Sequence, residues 1–179
     1  IRRKNNFTLK NTQQYSKKYI AKKIFKFYIT PRRVFTMSFE KAKNYLEQCG
    51  AADRIYTFDV SSATVELAAK ALGCEPCRIA KSLTFDVACE PVMVIAAGDA
   101  RVDNHGFKDF FGVKAKMLSP AEVEEKIGHA VGGVCPFGIN EGVKVYLDKS
   151  LKRFDFVFPA AGSSNSAVKL TLDELEKYS

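Results

Sequence analysis

The sequence predicts an α+β fold, a single domain with a mixed central β-sheet or partly closed barrel flanked by helices. Two β-rich runs separated by three residues indicate a hairpin. Two Ser/Thr-x-x-Glu boxes mark the starts of two separate helices. Strand-like and helical segments are mixed without the strict alternation of a doubly wound parallel sheet, so a mixed sheet is expected.

The first half of the domain is predicted to form two helices, a short strand and a hairpin. Ser38 precedes the first helical pattern as a candidate N-cap. Gly50 and Gly73 follow the two helical patterns, and glycine is the usual residue at a helix C-terminus. The expected elements are a helix over residues 38–49, a strand over 54–58, a helix over 65–72, and hairpin strands over 79–87 and 91–97 joined by Ala88, Cys89 and Glu90.

The second half contains the clearest helix starts in the chain. Ser119 and Glu122 form one capping box, with Pro120 at the first helical position, and Thr171 and Glu174 form another. An earlier helix is expected to use three phenylalanines as buried anchors, Phe107, Phe110 and Phe111. The expected elements are helices over residues 103–111 and 120–127 and after Thr171, and strands over 143–147, 155–158 and 167–170.

The positive charge is concentrated at one end of the chain. The 179 residues carry 28 Lys and Arg against 20 Asp and Glu, a formal net charge of +8. Eleven of the basic residues and none of the acidic ones lie in residues 1–36, so residues 37–179, the predicted domain, carry −3. A globally basic nucleic-acid binder is therefore excluded for the domain. Since Met37 resembles a natural start, residues 1–36 are interpreted as a basic segment outside the domain: an extension or artefact, a targeting segment, or an RNA-binding arm.

The cysteines predict free thiols and a cytoplasmic location. There are five, an odd number without regular spacing, and no secretory signal precedes them. Cys74 and Cys77 form a single CxxC, and neither His105 nor His129 stands at zinc-finger spacing from it, so no metal site is expected. No apolar run approaches the roughly 20 residues that span a bilayer, so no membrane contact is expected.

Lys81 is the first candidate for chemistry. Strand alternation places it on one face with Ile79, Leu83 and Phe85. A lysine among apolar neighbours is costly unless its ammonium meets an anion or an open cleft. The equally good alternative is a lysine whose stem packs while its head reaches solvent.

The loop over residues 129–138 is the second candidate. Gly132 and Gly133 permit close backbone approach, and Pro136 donates no hydrogen bond, so the amides of Gly133, Val134 and Cys135 can face a ligand carbonyl. A plain surface turn explains the same residues. Cys135 is a candidate nucleophile or a packed thiol, and His129 a candidate base or a structural histidine.

Three segments, in this order and spacing, resemble the YbaK/EbsC family of prolyl-tRNA-editing, Cys-tRNA(Pro) deacylase-like domains. They are IAKSL at 79–83, AGDARVD at 97–103 and VGGVCPFG at 131–138. The resemblance covers about residues 37–178. It implies hydrolysis of the ester that joins a small mischarged amino acid, such as alanine or cysteine, to the 3′-terminal adenosine of tRNA(Pro) or a related tRNA. A second pocket of this kind supplies the fidelity that a hydrophobic synthetase pocket cannot reach by size alone.

The resemblance also implies roles for individual residues. Lys81 matches the family's critical lysine and would hold the terminal adenosine or its phosphate. The loop over residues 132–136 matches the family's G-x-x-x-P segment, whose amides would hold the aminoacyl carbonyl as it becomes an oxyanion. No cofactor, metal or protein nucleophile is then required, because water or a group of the substrate attacks. The catalytic residues implied are Lys81, Gly132, Gly133, Val134 and Cys135, and the substrate-binding residues are Phe58, Ser82, Gly98, Asp103, His129, Pro136 and Gly162.

The chain departs from the bacterial Cys-tRNA(Pro) deacylases at two positions. Phe58 stands where they carry a tyrosine, and Ala167 where they carry an aspartate, so the edited amino acid stays open among alanine, cysteine and other small residues. An acidic domain must hold tRNA through a local cluster, expected at Lys81, Arg101 and Lys108. The expected partners are the tRNA acceptor end and prolyl-tRNA synthetase. The alternative function is a non-catalytic module that binds tRNA or a synthetase through the same cleft.

Overall fold

The computed structural model describes residues 31–179, with side chains from Met37 onward, so most of the predicted basic segment lies outside the described residues. The described helices are α1 (Pro31–Gln48), α2 (Val65–Leu72), α3 (Asn104–Phe111), α4 (Pro120–Glu122, continued by a π-helical turn over Val123–Ile127) and α5 (Leu172–Tyr178). The described strands are β1 (Ile55–Thr57), β2 (Ile79–Val87), β3 (Glu90–Ala97), β4 (Lys144–Leu147), β5 (Phe156–Pro159), β6 (Ser166–Val168) and β7 (Leu170–Thr171).

A curled five-stranded mixed sheet forms a half-barrel at the centre, in the strand order β4-β3-β2-β5-β7. The β2–β3 and β5–β7 pairs are antiparallel, whereas β3–β4 and β2–β5 are parallel. β1 and β6 form a separate antiparallel pair in which Tyr56 lies opposite Ala167. The single α+β domain with a mixed, partly closed sheet is therefore confirmed.

The hairpin between β2 and β3 turns through two residues, not the three that were expected. Ala88 and Cys89 both have positive φ, at 52° and 71°, and Val87 pairs directly with Glu90. Two consecutive positive φ angles are typical of the tight turn whose twist matches that of the flanking strands. The Asp86 carboxylate supports the turn by accepting a hydrogen bond from the amide of Cys89 at 2.9 Å.

The main core is formed by the sheet together with the helices α1 and α5. Leu46 of α1, Met93 and Ile95 of β3, and Leu175 of α5 are all completely buried. A smaller cluster packs α2 against β5. The Arg54 guanidinium binds both carboxylate oxygens of Glu174 at 2.8 Å and so joins the start of β1 to α5.

Both capping boxes and the bounds of α2 agree with the sequence prediction, but the first helix does not. α1 begins at Pro31, so Ser38 lies inside the helix and not at its start. Its side chain is 1% exposed, and its hydroxyl accepts a hydrogen bond from the amide of Ala130 at 3.3 Å. This hydrogen bond therefore links α1 to the loop over residues 129–138. The domain limits at residues 37–179 stay a prediction.

Two further expectations were wrong in detail. Phe110 is 70% exposed and Phe111 only half-buried, because Phe107 fills the core-facing side of α3 by packing on Phe85 at 4.8 Å between ring centroids. The strand expected over residues 167–170 is divided between β6 and β7. At the division the Lys169 amide donates to the carbonyl of Arg54. No helix in the described part of the chain is long and apolar enough to cross a membrane.

Candidate functional site

A cavity of about 320 Å³ opens beside β2. Its walls come from β2, the N-terminal end of α2, the segment around the start of α4, the loop after the π-helical turn, and the β5–β6 region. Most of the lining is apolar, as is usual for a pocket in which a few polar groups set orientation. The polar side chains in the lining are those of Ser62, Thr64, Lys81, Ser82, Thr84 and Ser166.

Lys81 is the single charged residue in the described lining. Its ammonium donates one hydrogen bond to the carbonyl oxygen of Gly98, at 2.9 Å, and another to that of Ala100. A lysine ammonium has three N–H donors, so one remains for a ligand. Lys81 therefore lies at the wall of an open cleft, which is one of the surroundings expected from the sequence. Its ammonium is held there by backbone carbonyl groups, which the sequence pattern did not predict.

The lack of a side chain at Gly98 explains why carbonyl groups lie within reach of the Lys81 ammonium. A Cβ built on Gly98 would lie 2.0 Å from the carbonyl oxygen of Pro76, so a side chain is sterically excluded. The backbone of β3 can therefore continue close to the turn before β2. This close approach holds the Gly98 carbonyl against β2, where Lys81 reaches it.

Ser82 provides an unused polar group in the same wall. Its Oγ is buried and has no hydrogen-bond partner among the described residues. A buried hydroxyl without a partner costs free energy that a bound ligand or water can recover. Ser82 lies next to Lys81 in β2 and lines the cavity, so a polar ligand group has a donor and acceptor available there.

The amides of the glycine loop are only partly free. The Gly133 amide donates to the carbonyl of Ala130 at 3.1 Å, and the Cys135 amide donates to Nδ1 of His129 at 3.3 Å. The amides of Gly132 and Val134 have no protein acceptor in the described part of the chain, and both residues line the cavity. The geometry therefore favours Gly132 and Val134 as the donors, in place of the expected series Gly133, Val134 and Cys135.

Packing fixes the position of this loop. A Cβ on Gly133 would lie 2.6 Å from the amide nitrogen of Ser163, a distance that real side chains do not reach. The Ser163 hydroxyl donates in turn to Oγ of Ser166 at 2.7 Å, and Ser166 lines the cavity. The loop is thus seated directly on the segment that precedes β6.

Cys135 and His129 form a buried pair behind the loop. Both are completely buried, and the Cys135 Sγ lies 3.5 Å from Nδ1 of His129. Burial raises the pKa of the thiol to about 12, so almost no thiolate exists at neutral pH. Burial, followed by the nearby Lys41 charge, lowers the pKa of His129 to about 4, so the imidazole is neutral. The arrangement does not support a nucleophile or a base, and it fits the packed-thiol and structural-histidine interpretations.

The structure brings together four of the twelve predicted site residues, Lys81, Ser82, Gly132 and Val134, at the cavity wall. Asp103 instead caps α3, accepting from the amide of His105 at 3.0 Å. The residues that do not line the cavity are Phe58, Gly98, Asp103, His129, Gly133, Cys135, Pro136 and Gly162. Three of these hold residues that do: the Gly98 carbonyl accepts from the Lys81 ammonium, and Gly133 and Cys135 fix the loop that carries Gly132 and Val134.

Of the expected basic cluster, only Lys81 is part of the cavity. Arg101 and Lys108 are exposed, and neither belongs to the lining. Sequence reasoning missed the contribution of α2, whose N-terminal end adds Ser62, Thr64 and Val65. The Thr64 hydroxyl accepts from the amide of Leu67, so this N-cap was the available signal.

Among the comparisons with known proteins, the model of the aminoacyl-tRNA editing domain family matches residues 59–178, about two thirds of the chain. The chain is 49% identical over 144 residues to the uncharacterized protein YwhH of Bacillus subtilis, covering 80% of this chain and 92% of that protein. It is 36% identical over 90 residues to the proline–tRNA ligase of Thermosipho melanesiensis. That alignment covers 50% of this chain but only 16% of the ligase.

Two solved structures are also similar to this chain. The crystal structure of a protein described as a proposed trans-editing enzyme for prolyl tRNA synthetase superposes with a TM-score of 0.71 and 30% identity. The superposition covers 77% of this chain and 88% of that one. The hypothetical protein APE2540 is similar as well, with a TM-score of 0.70, 25% identity, and coverage of 78% of this chain and 93% of that one.

Proposed function

The chain belongs to the aminoacyl-tRNA editing domain family, and we propose that it is a trans-editing aminoacyl-tRNA deacylase. Its substrate is the ester of a small mischarged amino acid, such as alanine or cysteine, on tRNA(Pro) or a related tRNA. The choice of tRNA(Pro) is supported by the similar proline–tRNA ligases and by the structural neighbour described as acting for prolyl tRNA synthetase.

One observation carries the proposal: two unpaired amides, an unpaired hydroxyl and one ammonium surround a single cavity. The amides belong to Gly132 and Val134, the hydroxyl to Ser82 and the ammonium to Lys81. Donors without protein partners in a largely apolar pocket are suited to stabilise an oxygen that becomes negative. Such an oxygen forms when the carbonyl of an aminoacyl ester is attacked.

The reaction follows from what the lining contains and lacks. Among the described lining residues there is no Asp, Glu, His or Cys, so no side chain offers an evident general base. A water molecule, assisted by a polar group of the substrate, adds to the ester carbonyl carbon. The carbonyl oxygen takes the negative charge and accepts from the amides of Gly132 and Val134. Collapse breaks the bond to the ribose oxygen, which takes a proton from the attacking water, and releases the free amino acid and the uncharged tRNA.

Lys81 acts by charge and position. It is the one cation in the described lining, and its remaining N–H faces a substrate that carries phosphate groups on its nucleotide side. The carbonyl groups of Gly98 and Ala100 fix the ammonium before the substrate arrives. A fixed charge stabilises the bound substrate without the entropy loss of ordering a mobile lysine.

The test is a deacylation panel on the full 179-residue chain. Ala-, Cys- and Ser-charged tRNA(Pro) are incubated with the wild type, with Lys81→Ala, and with the exposed control Lys114→Ala. We expect hydrolysis of at least one substrate above the uncatalysed rate, a loss of about 100-fold in Lys81→Ala, and no change in the control. Binding of tRNA without turnover on any substrate would favour the non-catalytic module, and full activity in Lys81→Ala would refute the assigned role.

A further inference from the structure

A second groove lies at the other end of α2 from the cavity. Its walls are formed by Tyr56, by the turn from Leu72 to Arg78, and by Phe156, Phe158 and Lys169. No residue of this groove other than Phe158 lines the cavity. None of the roles derived from the sequence falls in it.

The groove combines exposed aromatic surface with two cations. The Arg78 guanidinium carbon lies 4.5 Å from the centroid of the Phe156 ring, and the Lys169 ammonium nitrogen lies 4.1 Å from the same centroid. Among the described residues neither cation has a carboxylate at ion-pair distance. Glu75 is the one acidic residue of the groove, against the two cations. The side chains of the groove therefore carry a net positive charge, although the domain is acidic on average. Cations held over an aromatic ring remain able to bind phosphate oxygens.

Tyr56 adds a flat surface at the same place. It is 45% exposed although it stands in β1, and its ring meets Phe158 edge-on, with 6.2 Å between centroids. The exposed part of the Tyr56 ring is therefore a surface on which a base can stack. Exposed aromatic rings beside unpaired cations are the combination with which proteins bind single-stranded nucleic acid without base readout.

The groove adjoins the cavity through several connections. Phe158 lines both, and Tyr56 pairs with Ala167, a cavity residue, across the β1–β6 ladder, where opposed side chains share a face. α2 runs from the cavity to the groove over eight residues, which at 1.5 Å per residue is roughly 10 Å. Arg78 and Lys169 lie one and two residues from the cavity residues Ile79 and Ala167.

We propose that the groove of Tyr56, Arg78, Phe156 and Lys169 binds the single-stranded nucleotides that precede the 3′-terminal adenosine of the substrate. A base stacks on Tyr56, and a backbone phosphate contacts Arg78 and Lys169. The choice of RNA as the occupant rests on the proposed deacylase function. The groove then supplies the basic contact that Arg101 and Lys108 were expected to provide.

The test begins with binding alone, so that it does not depend on catalysis. A fluorescein-labelled oligoribonucleotide ending in CCA is titrated against the full chain by anisotropy at several salt concentrations. We expect Lys169→Gln and Tyr56→Ala each to weaken binding about fivefold to tenfold, and Lys169→Gln to reduce the salt slope by about one. Arg78→Lys keeps the charge and tests the planar guanidinium, and the exposed Lys152→Gln and Phe110→Ala serve as matched controls without effect. Thermal melting verifies that each variant is folded.

The second arm measures deacylation of a mischarged tRNA. The groove variants are expected to raise KM about fivefold to tenfold with an unchanged kcat, and to leave hydrolysis of a 3′-aminoacyl-adenosine unaffected. If the wild type deacylates but the groove variants bind and react normally, the groove proposal is wrong and the proposed function stands. If nothing is deacylated but oligonucleotide binding is lost in the groove variants, the groove stands and the proposed function fails. Binding of an acidic peptide in place of the oligonucleotide would overturn the proposal in favour of a protein partner.

Discussion

Cys135 is the residue whose interpretation differs most between the sequence and the structure. In the sequence it stands in a glycine-rich loop, as a nucleophile would. In the structure it is completely buried, touches His129, and has a pKa raised to about 12 by burial. Its amide is also already bonded to His129. The pair therefore supports the loop from behind, and the chemistry belongs to the surface that Gly132 and Val134 present.

We expect Cys135→Ala to retain deacylation within about twofold and to lose roughly 1 kcal/mol of stability by leaving a small cavity. The measurements are kcat/KM on the best substrate of the panel and the denaturation midpoint. In the native wild type a thiol reagent should modify the exposed Cys89 and leave Cys135 untouched until the protein unfolds. A loss of activity of 100-fold or more in folded Cys135→Ala would show that the thiol takes part in the reaction.

His129 predicts how stability depends on pH. Its pKa falls from 6.5 in the unfolded chain to about 4 in the folded protein, chiefly because burial penalises the charged form. Above pH 6.5 both states are neutral at this residue, so it contributes no pH dependence. As the pH falls from 6.5 toward 4, the unfolded state gains a proton that the folded state does not, and the free energy of unfolding decreases. The full effect is on the order of 3 kcal/mol.

The variant His129→Asn isolates this contribution. An Asn side chain offers an acceptor near the position of Nδ1 for the Cys135 amide but does not titrate. Urea denaturation of both proteins between pH 7.5 and 4 should show a difference in unfolding free energy that narrows as the pH falls. Parallel curves over that range would contradict the assignment of a neutral, buried imidazole.

At the scale of elements, local patterns predicted local structure well. The bounds of α2 and both capping boxes follow from residues within a few positions of each other, and such signals do not depend on the rest of the fold. The start of α1 was missed because Ser38 is a good cap by type, whereas tertiary contact with Ala130 determines its role. Phe110 was predicted to be buried because the helical period of 3.6 residues does not show that Phe107 occupies the side of α3 that faces the core.

The candidate site was predictable only in part for the same reason. Lys81 and Ser82 were found because they are neighbours in one strand, and Gly132 and Val134 because they share one loop. The contribution of α2 was missed, because the Thr64 N-cap marks where the helix begins but not where the helix packs. Which loop amides are free likewise depends on where their acceptors lie. The Ala130 carbonyl and Nδ1 of His129 accept from two of the four amides of residues 132–135.

The hairpin turn predicts a stabilising double substitution. Ala88 and Cys89 hold positive φ angles of 52° and 71°, a conformation that costs most residues about 1 kcal/mol each. Ala88→Asn combined with Cys89→Gly should relieve this cost and raise the unfolding free energy by about 1 to 2 kcal/mol. The readout is the urea midpoint. Cys89→Ala removes the thiol while keeping the strain, so it is the control that should give no gain.

The glycine loop predicts the opposite effect at Gly133. A side chain there would stand 2.6 Å from the Ser163 amide nitrogen, and the backbone of Gly162 and Ser163 leaves it no room. Gly133→Ala should therefore move the loop, reduce kcat by about tenfold or more, and destabilise the fold by about 1 to 3 kcal/mol. Gly50→Ala introduces backbone strain of its own, with φ at 70°, but meets no nearby atoms, so it should affect stability alone. Equal activity in both variants would show that the loop position does not matter for catalysis.

For the whole molecule, the charge distribution separates binding from chemistry. Residues 31–179 carry 19 Lys and Arg against 20 Asp and Glu, so the average field of the described part does not attract RNA. Specific contacts must then come from a few local cations, which the fold places at Lys81 in the cavity and at Arg78 and Lys169 in the groove. The nine basic residues within residues 1–30 can add attraction that depends on charge alone.

Deleting residues 1–30 tests this division. Because every residue that lines the cavity lies between Ser62 and Ala167, the deletion should change kcat by less than about twofold. Removing nine positive charges should weaken tRNA affinity at low salt and flatten the dependence of log affinity on log salt concentration. The measurements are single-turnover deacylation and tRNA binding at several salt concentrations, with the Lys81→Ala full chain as the catalytic control. If the deletion abolishes turnover at saturating tRNA while circular dichroism shows an intact fold, then residues 1–30 belong to the catalytic unit and the domain limit must be moved.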